Sequence, residues 1–433
     1  MPNESFKEAF LHYIWQFQYF QKHDLKIQSG EELIVFSPGF ANSHAGPDFQ
    51  HARLSLGEVE WHGQVEIHYH SSDWTKHKHH TDAAYNNVIL HVVWDDNINA
   101  VRQDGNPIPT LELKGRVDRT LIAHFEQLVK TTSPIPCASY LVERRIDPVI
   151  IYSMLERCLV ERLEQKSAQI LLIHQQTRQD WEETAYRWVG KCFGFKINSH
   201  AFLKLCELLP FALLKKYRLS PMQMEALLFG TGGFLEGHFE ESYPKQLQSE
   251  FEYLTSKHQL RVKMLLTEWK FLRLRPANFP TLRISQFANF LSNAGNLYDL
   301  IFGPKGLNDF SSLIAQNCHP YWQEHFVFNK PSQASKERPR LGHSSRDNLI
   351  INAFLPLRFS FAQLLDLEEM KINVVDDYRK IKAEKNSLIS QYGFLSLSSV
   401  TSYETQAITQ LHHSYCEAKK CLSCHIGHEL IHP

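Results

Sequence analysis

The stretch VEIHYHSSDWTKHKHH, Val65 to His80, contains five histidines, one glutamate and one aspartate within sixteen residues. At its start, in QVEIHYH (Gln64–His70), polar and apolar side chains alternate, and a period of two predicts a β-strand. On a strand, Glu66, His68 and His70 share one face, and the apolar residues between them share the other. The stretch therefore predicts a sheet with one apolar face and one face of metal-binding side chains.

Short β-rich runs flank this strand, and turn residues separate them: LIVF (33–36), ARLSL (52–56), NVILHVVW (87–94) and PTLEL (109–113). A helix is predicted before them, over about Ser5–Phe20. From about Arg116 apolar residues recur at three- and four-residue spacing, which indicates helices. We predict an α+β protein. Residues 1–130 form a mixed α/β domain with a small β-sheet, and residues 131–433 form a mainly α-helical domain that begins in the linker TTSPIPCASY.

The composition restricts the class of protein. The 433 residues are 43% hydrophobic and carry a net charge of −1, which excludes a globally basic nucleic-acid binder but leaves room for a local basic patch. The sequence contains neither an apolar run of the roughly 20 residues that a membrane span needs nor a signal-peptide pattern, so we expect a cytoplasmic protein. Eight cysteines are too few for a disulfide scaffold in so long a chain, which leaves core residues or metal ligands.

The alternating histidines predict a metal site. Imidazole and carboxylate are the usual protein ligands of zinc, manganese and iron, and histidines two apart on a strand can reach a common ion. The predicted ligands are Asp48, Glu66, His68 and His70, with further donors after the strand at Asp73, His77, His79, His80, Asp82 and His91. The alternative is a solvated polar face with a core histidine at position 91.

Asp48 follows a Gly-Pro turn and lies eighteen residues before Glu66-Ile-His68. This pattern partially resembles that of the restriction-endonuclease-like nucleases, PD-(D/E)xK, in which the two carboxylates hold magnesium or manganese. The resemblance implies that Asp48, Glu66 and His68 are catalytic. His68 stands where those nucleases have lysine, and Ser71–Asn86 has room for only a short helix where they have a full one.

A second metal site is predicted at YCEAKKCLSCHIGHE, where Cys416, Cys421 and Cys424 lie within nine residues. Thiolates at this spacing bind zinc or an iron–sulfur cluster, and both need a fourth ligand. Cys137 in the linker is the fourth candidate, beside His425 and His428. The remaining cysteines lie in helical patterns and are predicted to be core residues.

Two other segments suggest ligands. Lys257–Arg283 combines seven basic residues with one acid and interleaved aromatics, a pattern that fits either nucleic-acid binding or the solvated side of an amphipathic helix. Its candidate contacts are Arg261, Lys263, Lys270, Arg273 and Arg275. The stretch GTGGFLEG (230–237) lacks the Gly-Lys-Ser/Thr ending of a phosphate loop and is interpreted as a helix stop.

Seven motifs occur in order along the chain: GPDF, VEIHYHSSDW, HKHHTDAAYNNVILHVVW, IPCASY, EALLFGTGGFL, RPANFPTLR and CLSCHIG. Together they resemble an uncharacterised bacterial family known from Bacteroidetes, domain of unknown function 2851, which brings no established activity. Two hypotheses remain. The chain is a metal-dependent hydrolase, a nuclease or other phosphodiesterase that uses manganese, zinc or magnesium, or it is a non-catalytic metal-stabilised scaffold that binds nucleic acid or protein.

Overall fold

Six strands form the sheet that the alternating pattern predicts. They are β1 (Leu33–Ser37), β2 (Phe40–Ala41), β3 (Phe49–Leu56), β4 (Val59–His70), β5 (Val88–Asp95) and β6 (Thr110–Glu112). The order is β1-β3-β4-β5-β6, and the short β2 pairs with β3. Strands β1 and β4 are each antiparallel to β3, whereas β5 runs parallel to β4 and β6 parallel to β5.

A short crossover joins the parallel strands β4 and β5. Helix α1 spans Glu4–Phe17, and the crossover contains only helix α2 (Asp73–Lys76) and two 3-10 turns. The prediction of a short helix in this segment is confirmed. In the parallel register Glu66 lies opposite His91, so the crossover returns the chain beside the polar side chains of β4.

Helix α1 covers the apolar face of the sheet. Leu11, Ile14 and Trp15 are buried in one core with Val65 and Ile67 of β4. Cys421 and Ile431 belong to the same core, so residues near position 430 complete the hydrophobic packing of the N-terminal sheet.

The structure is a computed structural model, which describes residues 4–42, 44–143, 146–304, 306–333, 339–384, 386–397 and 400–432. The chain forms two compact units. The first contains Met1–Leu155, Tyr392–Ser396 and Leu411–Pro433, and the second contains Glu156–Gln391 and Leu397–Gln410. We expected domains of residues 1–130 and 131–433; the unit that holds the sheet extends further along the chain and also includes C-terminal residues.

The remaining elements are mainly helical. They are α3 (Arg119–Lys130), α4 (Ala138–Glu143), α5 (Pro148–Gln176), α6 (Trp181–Phe193), α7 (Phe195–Leu208), α8 (Phe211–Leu214), α9 (Pro221–Thr231), α10 (Ser242–His258), α11 (Pro280–Asn293), α12 (Leu297–Phe302), α13 (Gly306–Leu313), α14 (His343–Leu349), α15 (Leu355–Leu364), α16 (Glu368–Lys380), α17 (Ser387–Ser390), α18 (Ser402–Leu411) and α19 (His425–Ile431). A hairpin of β7 (His325–Val327) and β8 (Lys330–Pro331) and two π-helical segments, Ile350–Phe354 and His412–Cys416, complete the described chain. The predicted α+β class is confirmed.

Two sequence interpretations are resolved in the second unit. The glycine-rich stretch is a helix stop, because α9 ends at Thr231 and Gly233 adopts a φ of +80°. The amphipathic helix considered for Lys257–Arg283 is wrong for residues 259–279, which contain only two 3-10 turns. Trp269 of this segment is buried and donates to the carbonyl of Gly232, so it serves the core.

The apolar helices were also compared with what a membrane span requires. Among the described helices, none taken singly has the length and hydropathy to cross a bilayer. The bent pair Phe195–Leu208 and Phe211–Tyr217, with 67° between its halves, meets the criterion by length and composition only.

Candidate metal centre

Asp48 and Glu66 are held together by two hydrogen bonds across β3 and β4. The backbone N–H of Asp48 donates to Glu66 Oε2 at 3.1 Å, and the N–H of Ile67 donates to Asp48 Oδ2 at 2.9 Å. The carboxylate of Glu66 therefore accepts from the backbone of Asp48, and the carboxylate of Asp48 accepts from the backbone of the residue after Glu66. His68 Nε2 lies 3.6 Å from Glu66 Oε1, so the structure places His68 beside the two carboxylates.

Three histidines surround the outer oxygen of Glu66. His79 Nε2 is 3.2 Å from Glu66 Oε1, and His77 Nδ1 is 3.2 Å from His68 Nε2. One ligand atom from each of His68, His77 and His79 lies within 4.8 Å of the others. Atoms that bind zinc at 2.0–2.1 Å from tetrahedral corners lie about 3.3 Å apart. The separations of 3.2, 3.6 and 3.2 Å match this spacing.

His91 supports His68 from the neighbouring strand. Its Nε2 lies 2.8 Å from His68 Nδ1, and both rings are buried. If His68 donates its Nδ1–H to His91, its Nε2 keeps a lone pair directed toward His77 and Glu66. Histidines that bind metals commonly have such an outer partner, which fixes the tautomer and the ring orientation. His91 is thus a supporting residue for the cluster and not an isolated core histidine.

Helix α1 supplies two residues that the sequence reasoning missed. His12 Nε2 lies 3.3 Å from Asp48 Oδ2. Glu8, one turn earlier on the same helix, is close enough to His12, Asp48 and His77 for their charges to influence its pKa. A polar Glu-x-x-x-His pair on a helix that otherwise buries apolar residues was the available signal.

Burial keeps His68 and His91 neutral. Burial, followed by the neighbouring His91, His79 and His77, lowers the pKa of His68 to about 2. Burial also lowers the pKa of His91 to about 3. Neutral imidazole is the form that binds metals. Burial raises the pKa of Glu66 above its usual value despite the hydrogen bond from His79, so a nearby cation would stabilise the ionised carboxylate.

The cluster is accessible from solvent on one side. The side chains of His12 and Asp48 are 36% and 25% exposed, and His77 is exposed. In contrast, Glu66 and His68 are buried. An ion held by the buried donors would therefore have an approach path for substrate past Asp48 and His77.

His70 and Asp82, which were also predicted as metal ligands, make other contacts. His70 is at the end of β4, where its Nδ1 is 3.3 Å from Asp95 Oδ2 and its backbone N–H donates to Asp73. Asp82 caps a 3-10 turn by accepting from the N–H of Ala84. In the parallel register His70 lies opposite Asp95, so it contacts the carboxylate of the adjacent strand.

The four cysteines predicted to form a second site lie in the first unit. Cys137 precedes α4, Cys416 ends a π-helical segment, Cys421 begins a 3-10 turn and Cys424 precedes α19. Each of the three C-terminal thiols adds to the effect of burial in raising the pKa of Cys137, which requires short separations. The linker thiol is thus brought to the trio. Cys158, Cys206 and Cys318 are buried, as predicted, whereas Cys192 is partly exposed.

A separate histidine pair near this site has an ordinary explanation. One ligand atom from each of His412, His413 and Glu417 also lies within 4.8 Å of the others. Glu417 accepts from His413 Nδ1 at 2.9 Å and is half exposed, while His412 Nδ1 contacts the hydroxyl of Tyr392 at 2.9 Å. These contacts fit a partly solvated ion pair.

The predicted nucleic-acid contacts are exposed on the segment that joins α10 to α11. Arg261, Lys263, Lys270, Arg273 and Arg275 all have exposed side chains. Lys263 lies 2.5 Å from Glu236, and the aromatics Phe271 and Phe279 pack against each other with ring centroids 5.1 Å apart. The cations are therefore available at the surface, but the aromatic rings between them are used in internal packing.

Comparison with known proteins gives a family and no activity. No curated protein and no solved structure matches the chain. The sequence model of the family described as protein of unknown function (DUF2851) matches residues 8–387, which include the carboxylate–histidine cluster and Cys137. The chain belongs to this family.

Proposed function

We propose that the protein is a metal-dependent hydrolase that cleaves a phosphodiester in nucleic acid. The observation that carries the proposal is the convergence of Asp48, Glu66, His68, His77 and His79 from a turn, a strand and a crossover on one solvent-accessible point. Two carboxylates beside neutral imidazoles form a donor set for a divalent cation.

The topology around the cluster supports the choice of substrate. A helix, three antiparallel strands, a crossover and a parallel strand place an aspartate turn beside a Glu-x-His strand. The restriction-endonuclease-like nucleases use a similar arrangement with lysine at the last position. His68 cannot supply the fixed positive charge of lysine, and its imidazole is matched to softer metals than magnesium. We therefore expect manganese or zinc to support activity better than magnesium.

The position of each residue in the cluster indicates its role in the proposed reaction. Glu66 Oε1, His68 Nε2, His77 Nδ1 and His79 Nε2 would hold the ion, which would supply an activated water and stabilise charge on the phosphate. Asp48 is positioned to be a further ligand, since only its Oδ2 is engaged by Ile67 and His12. His12, partly buried beside Asp48, is placed to exchange a proton with the attacking water or the leaving oxygen.

The test is cleavage of single- and double-stranded DNA and RNA with manganese, zinc or magnesium. We expect Asp48→Ala, Glu66→Ala and His68→Ala each to lower the rate by at least about 100-fold, because each removes a group at the reacting ion. His62→Ala is the matched control. His62 lies on the same strand, 71% exposed and paired with Glu60.

Two results would contradict the proposal. One is an absence of cleavage by the wild type with every metal and substrate. The other is equal cleavage by the wild type and the three site variants, which would assign the activity to a contaminant. Circular dichroism of each variant separates loss of chemistry from loss of fold.

The scaffold hypothesis has one observation in its favour. Glu66 and three histidines provide four protein donors, and closed four-ligand sites are typical of structural zinc. If the site is structural, the metal would bind tightly and its removal would lower the melting temperature, while no nuclease activity would appear. The same assays therefore distinguish the two functions.

We propose a separate cofactor at Cys137, Cys416, Cys421 and Cys424, namely an iron–sulfur cluster. Four buried or partly buried thiols lie in the first unit, near enough for the three C-terminal ones to add to the effect of burial on the pKa of Cys137. Four sulfurs bound to one zinc ion at 2.3 Å lie about 3.8 Å apart. Among the described residues, no set of three ligand atoms within 4.8 Å of one another includes these sulfurs. A wider arrangement suits a multinuclear cluster.

The cluster would fasten residues 411–433 to the N-terminal sheet. Lys419 Nζ donates to the carbonyls of Val129 and Thr131 at 2.7 and 2.8 Å. His428 Nε2 lies 2.9 Å from the hydroxyl of Tyr19, just after α1. The cofactor would thus stabilise the position of the helix that carries His12.

Protein purified without oxygen should contain iron and acid-labile sulfide and absorb visible light. Replacement of Cys416, Cys421 and Cys424 by serine should remove all three signals, whereas Cys318→Ser, a buried thiol of the second unit, should leave them unchanged. One zinc per chain in place of iron would refute the cluster. A metal content unaffected by the triple substitution would refute any metal at this site.

A further inference from the structure

The second unit contains a cavity lined by cations. Its volume is about 620 Å³, within the range of small-molecule sites. Arg162 and Lys166 of α5 line it together with Lys191 and Lys196. Among the described residues that line the cavity, Glu384 is the carboxylate. The lining therefore carries an excess of positive charge in a protein whose net charge is −1.

Two of these cations have neutral partners. Arg162 Nε donates to Gln406 Oε1 at 2.6 Å. Lys166 Nζ donates to Asn352 Oδ1 at 2.8 Å and to Gln406 Oε1 at 3.4 Å. Within the described part of the chain, no ion pair joins either cation to a carboxylate, although the structure has many such pairs at its surface. Amide oxygens satisfy the donors, and the charge of the nearby Glu384 offsets only part of the effect of burial on the pKa values of Arg162 and Lys166.

The amide of Gln406 is fixed in the orientation that faces the cations. Its Nε2 donates to Glu384 Oε2, which also accepts from the hydroxyl of Thr405. Gln406 is only 4% exposed. Glu384 is thus engaged by polar groups of α18, and the carbonyl end of the Gln406 amide is the end presented to Arg162 and Lys166.

Asn352 is fixed by an irregular helix. In a regular α-helix its carbonyl would accept from residue 356, which is Pro356 and has no N–H. The helix instead adopts the π-helical segment Ile350–Phe354, and the free carbonyl accepts from Trp188 Nε1 at 3.0 Å and from the Cys192 thiol at 3.4 Å. Such π-helical segments occur frequently at functional sites. Here the irregularity directs the side chain of Asn352 to Lys166.

We propose that this cavity binds a terminal phosphate monoester, either on a free nucleotide-sized molecule or at the 5′ end of an oligonucleotide. Arg162 offers a planar fork and Lys166 a compact charge, the combination that suits phosphate oxygens. Lys191, whose Nζ lies 4.4 Å from the Trp188 ring, is at the rim with the exposed Lys196. A bound dianion would replace the missing countercharge. This site is independent of the proposed nuclease function, because its residues belong to the second unit.

The electrostatics of the empty cavity agree with this assignment. Burial, followed by the charge of Arg162, lowers the pKa of Lys166 to about 7. Burial likewise lowers the pKa of Arg162. Both shifts show that the protein stabilises these positive charges less than water does, and an anion between them would reverse the effect.

The experiment measures binding to the full chain by calorimetry. The probes are inorganic phosphate, a nucleoside 5′-monophosphate, the matching nucleoside, and one oligonucleotide with a 5′-phosphate or a 5′-hydroxyl. We expect the phosphate-bearing probes to bind at least tenfold more tightly than their phosphate-free partners. Tighter binding of the mononucleotide or of the 5′-phosphorylated oligonucleotide identifies the source of the phosphate.

Three variants locate the binding. Lys166→Gln and Arg162→Gln should each weaken binding of the monophosphate at least tenfold. Gln406→Glu should have the same effect, because it supplies a carboxylate to both cations; it also removes the N–H group that donates to Glu384. Arg157→Gln is the control, since Arg157 lies on the same helix and pairs with Glu161 at 2.9 Å.

The proposal is overturned if phosphate-bearing and phosphate-free probes bind equally, or if the three variants bind as the wild type does. If Lys166→Gln or Arg162→Gln does not fold, Gln406→Glu and Lys191→Gln decide the question. Unchanged affinity in both of these variants would refute the site.

Discussion

The two polar sites of this protein, around Glu66 and around Lys166, concentrate groups of opposite charge preference: the first suits a cation and the second suits an anion. Around Glu66, a buried carboxylate and imidazoles meet at 3.2 to 3.6 Å, and burial lowers the pKa of His68 so that it is neutral. Around Lys166, cations meet amide oxygens at 2.6 to 3.4 Å. The first site presents donors for a cation, and the second presents donors for an anion.

The comparison shows why net charge alone says little about ligands. The net charge is only −1, yet cation-binding groups cluster at one site and cations cluster at the other. Neighbouring residues orient the groups at each site. His91 orients His68 in the first site, and Gln406 and Asn352 orient the cations in the second. Uncompensated groups in partly buried positions are costly, so each site is expected to bind a ligand of opposite charge.

The largest effect should follow the loss of a ligand at the first site. We expect His79→Ala to weaken zinc or manganese binding by at least about 100-fold, because even supporting residues contribute 10–100-fold. His80→Ala is the control from the same turn. Equal metal affinity in the two variants, measured by competition with a chelator, would break the assignment of His79.

A smaller effect should follow the loss of His91, which contacts the predicted metal ligand His68. Replacement of His91 by glutamine should lower metal affinity by about 10–100-fold without removing a ligand, because His68 loses the partner that fixes its tautomer. The measurement is the same competition titration, with thermal unfolding as a check on the fold. Unchanged affinity would mean that His91 is an ordinary core residue.

The second site should respond to pH in a defined direction. Lys166 has a pKa of about 7 when the cavity is empty, so it loses its charge as pH rises from 6 to 8. Arg162 remains charged, Cys192 remains neutral because burial raises its pKa to about 12, and Lys191, Lys196 and Glu384 are the other charged groups that line the cavity. Sulfate, whose charge is constant in this range, should bind about tenfold more weakly at pH 8 than at pH 6.

The matched variant for this pH dependence is Lys166→Gln, in which sulfate affinity should be weak and nearly independent of pH. If the wild type and this variant have the same pH profile, Lys166 is not the titrating group.

The smallest effect is expected at the exposed basic segment. If Arg273 contacts a nucleic-acid phosphate, Arg273→Gln should reduce the slope of log affinity against log salt by at most about 1. Lys371→Gln, a cation of α16 already paired with Glu368, should leave the slope unchanged. Equal slopes in all three proteins would remove Arg273 from the proposed interface.

Much of the first unit was predictable because local pattern and tertiary structure agree there. The alternation in Gln64–His70 predicted β4, and the placement of Glu66 beside His68 followed from it. Alternation could not predict that His70 leaves the cluster, because its contact with Asp95 depends on where β5 ends. The contribution of His12 was also missed, since the packing of α1 on the sheet decides it.

The cation-lined cavity could not be predicted from the sequence. Arg162 and Lys166 lie in a long helix whose charges resemble an ordinary solvated face. Gln406 lies more than two hundred residues away, and only folding brings it to them. Pro356 suggests the irregular helix from the sequence. No local rule indicates that Trp188 and Cys192 donate to the carbonyl of Asn352 in place of the N–H that Pro356 lacks.

The sequence by itself determined the α+β class, the strand that carries Glu66 and His68, and the clustering of three cysteines, because each depends on neighbours a few residues apart. The tertiary structure decided which histidines meet and which residues surround the buried cations. Those properties depend on contacts between residues distant in the chain, and contact distance and burial together set their electrostatics.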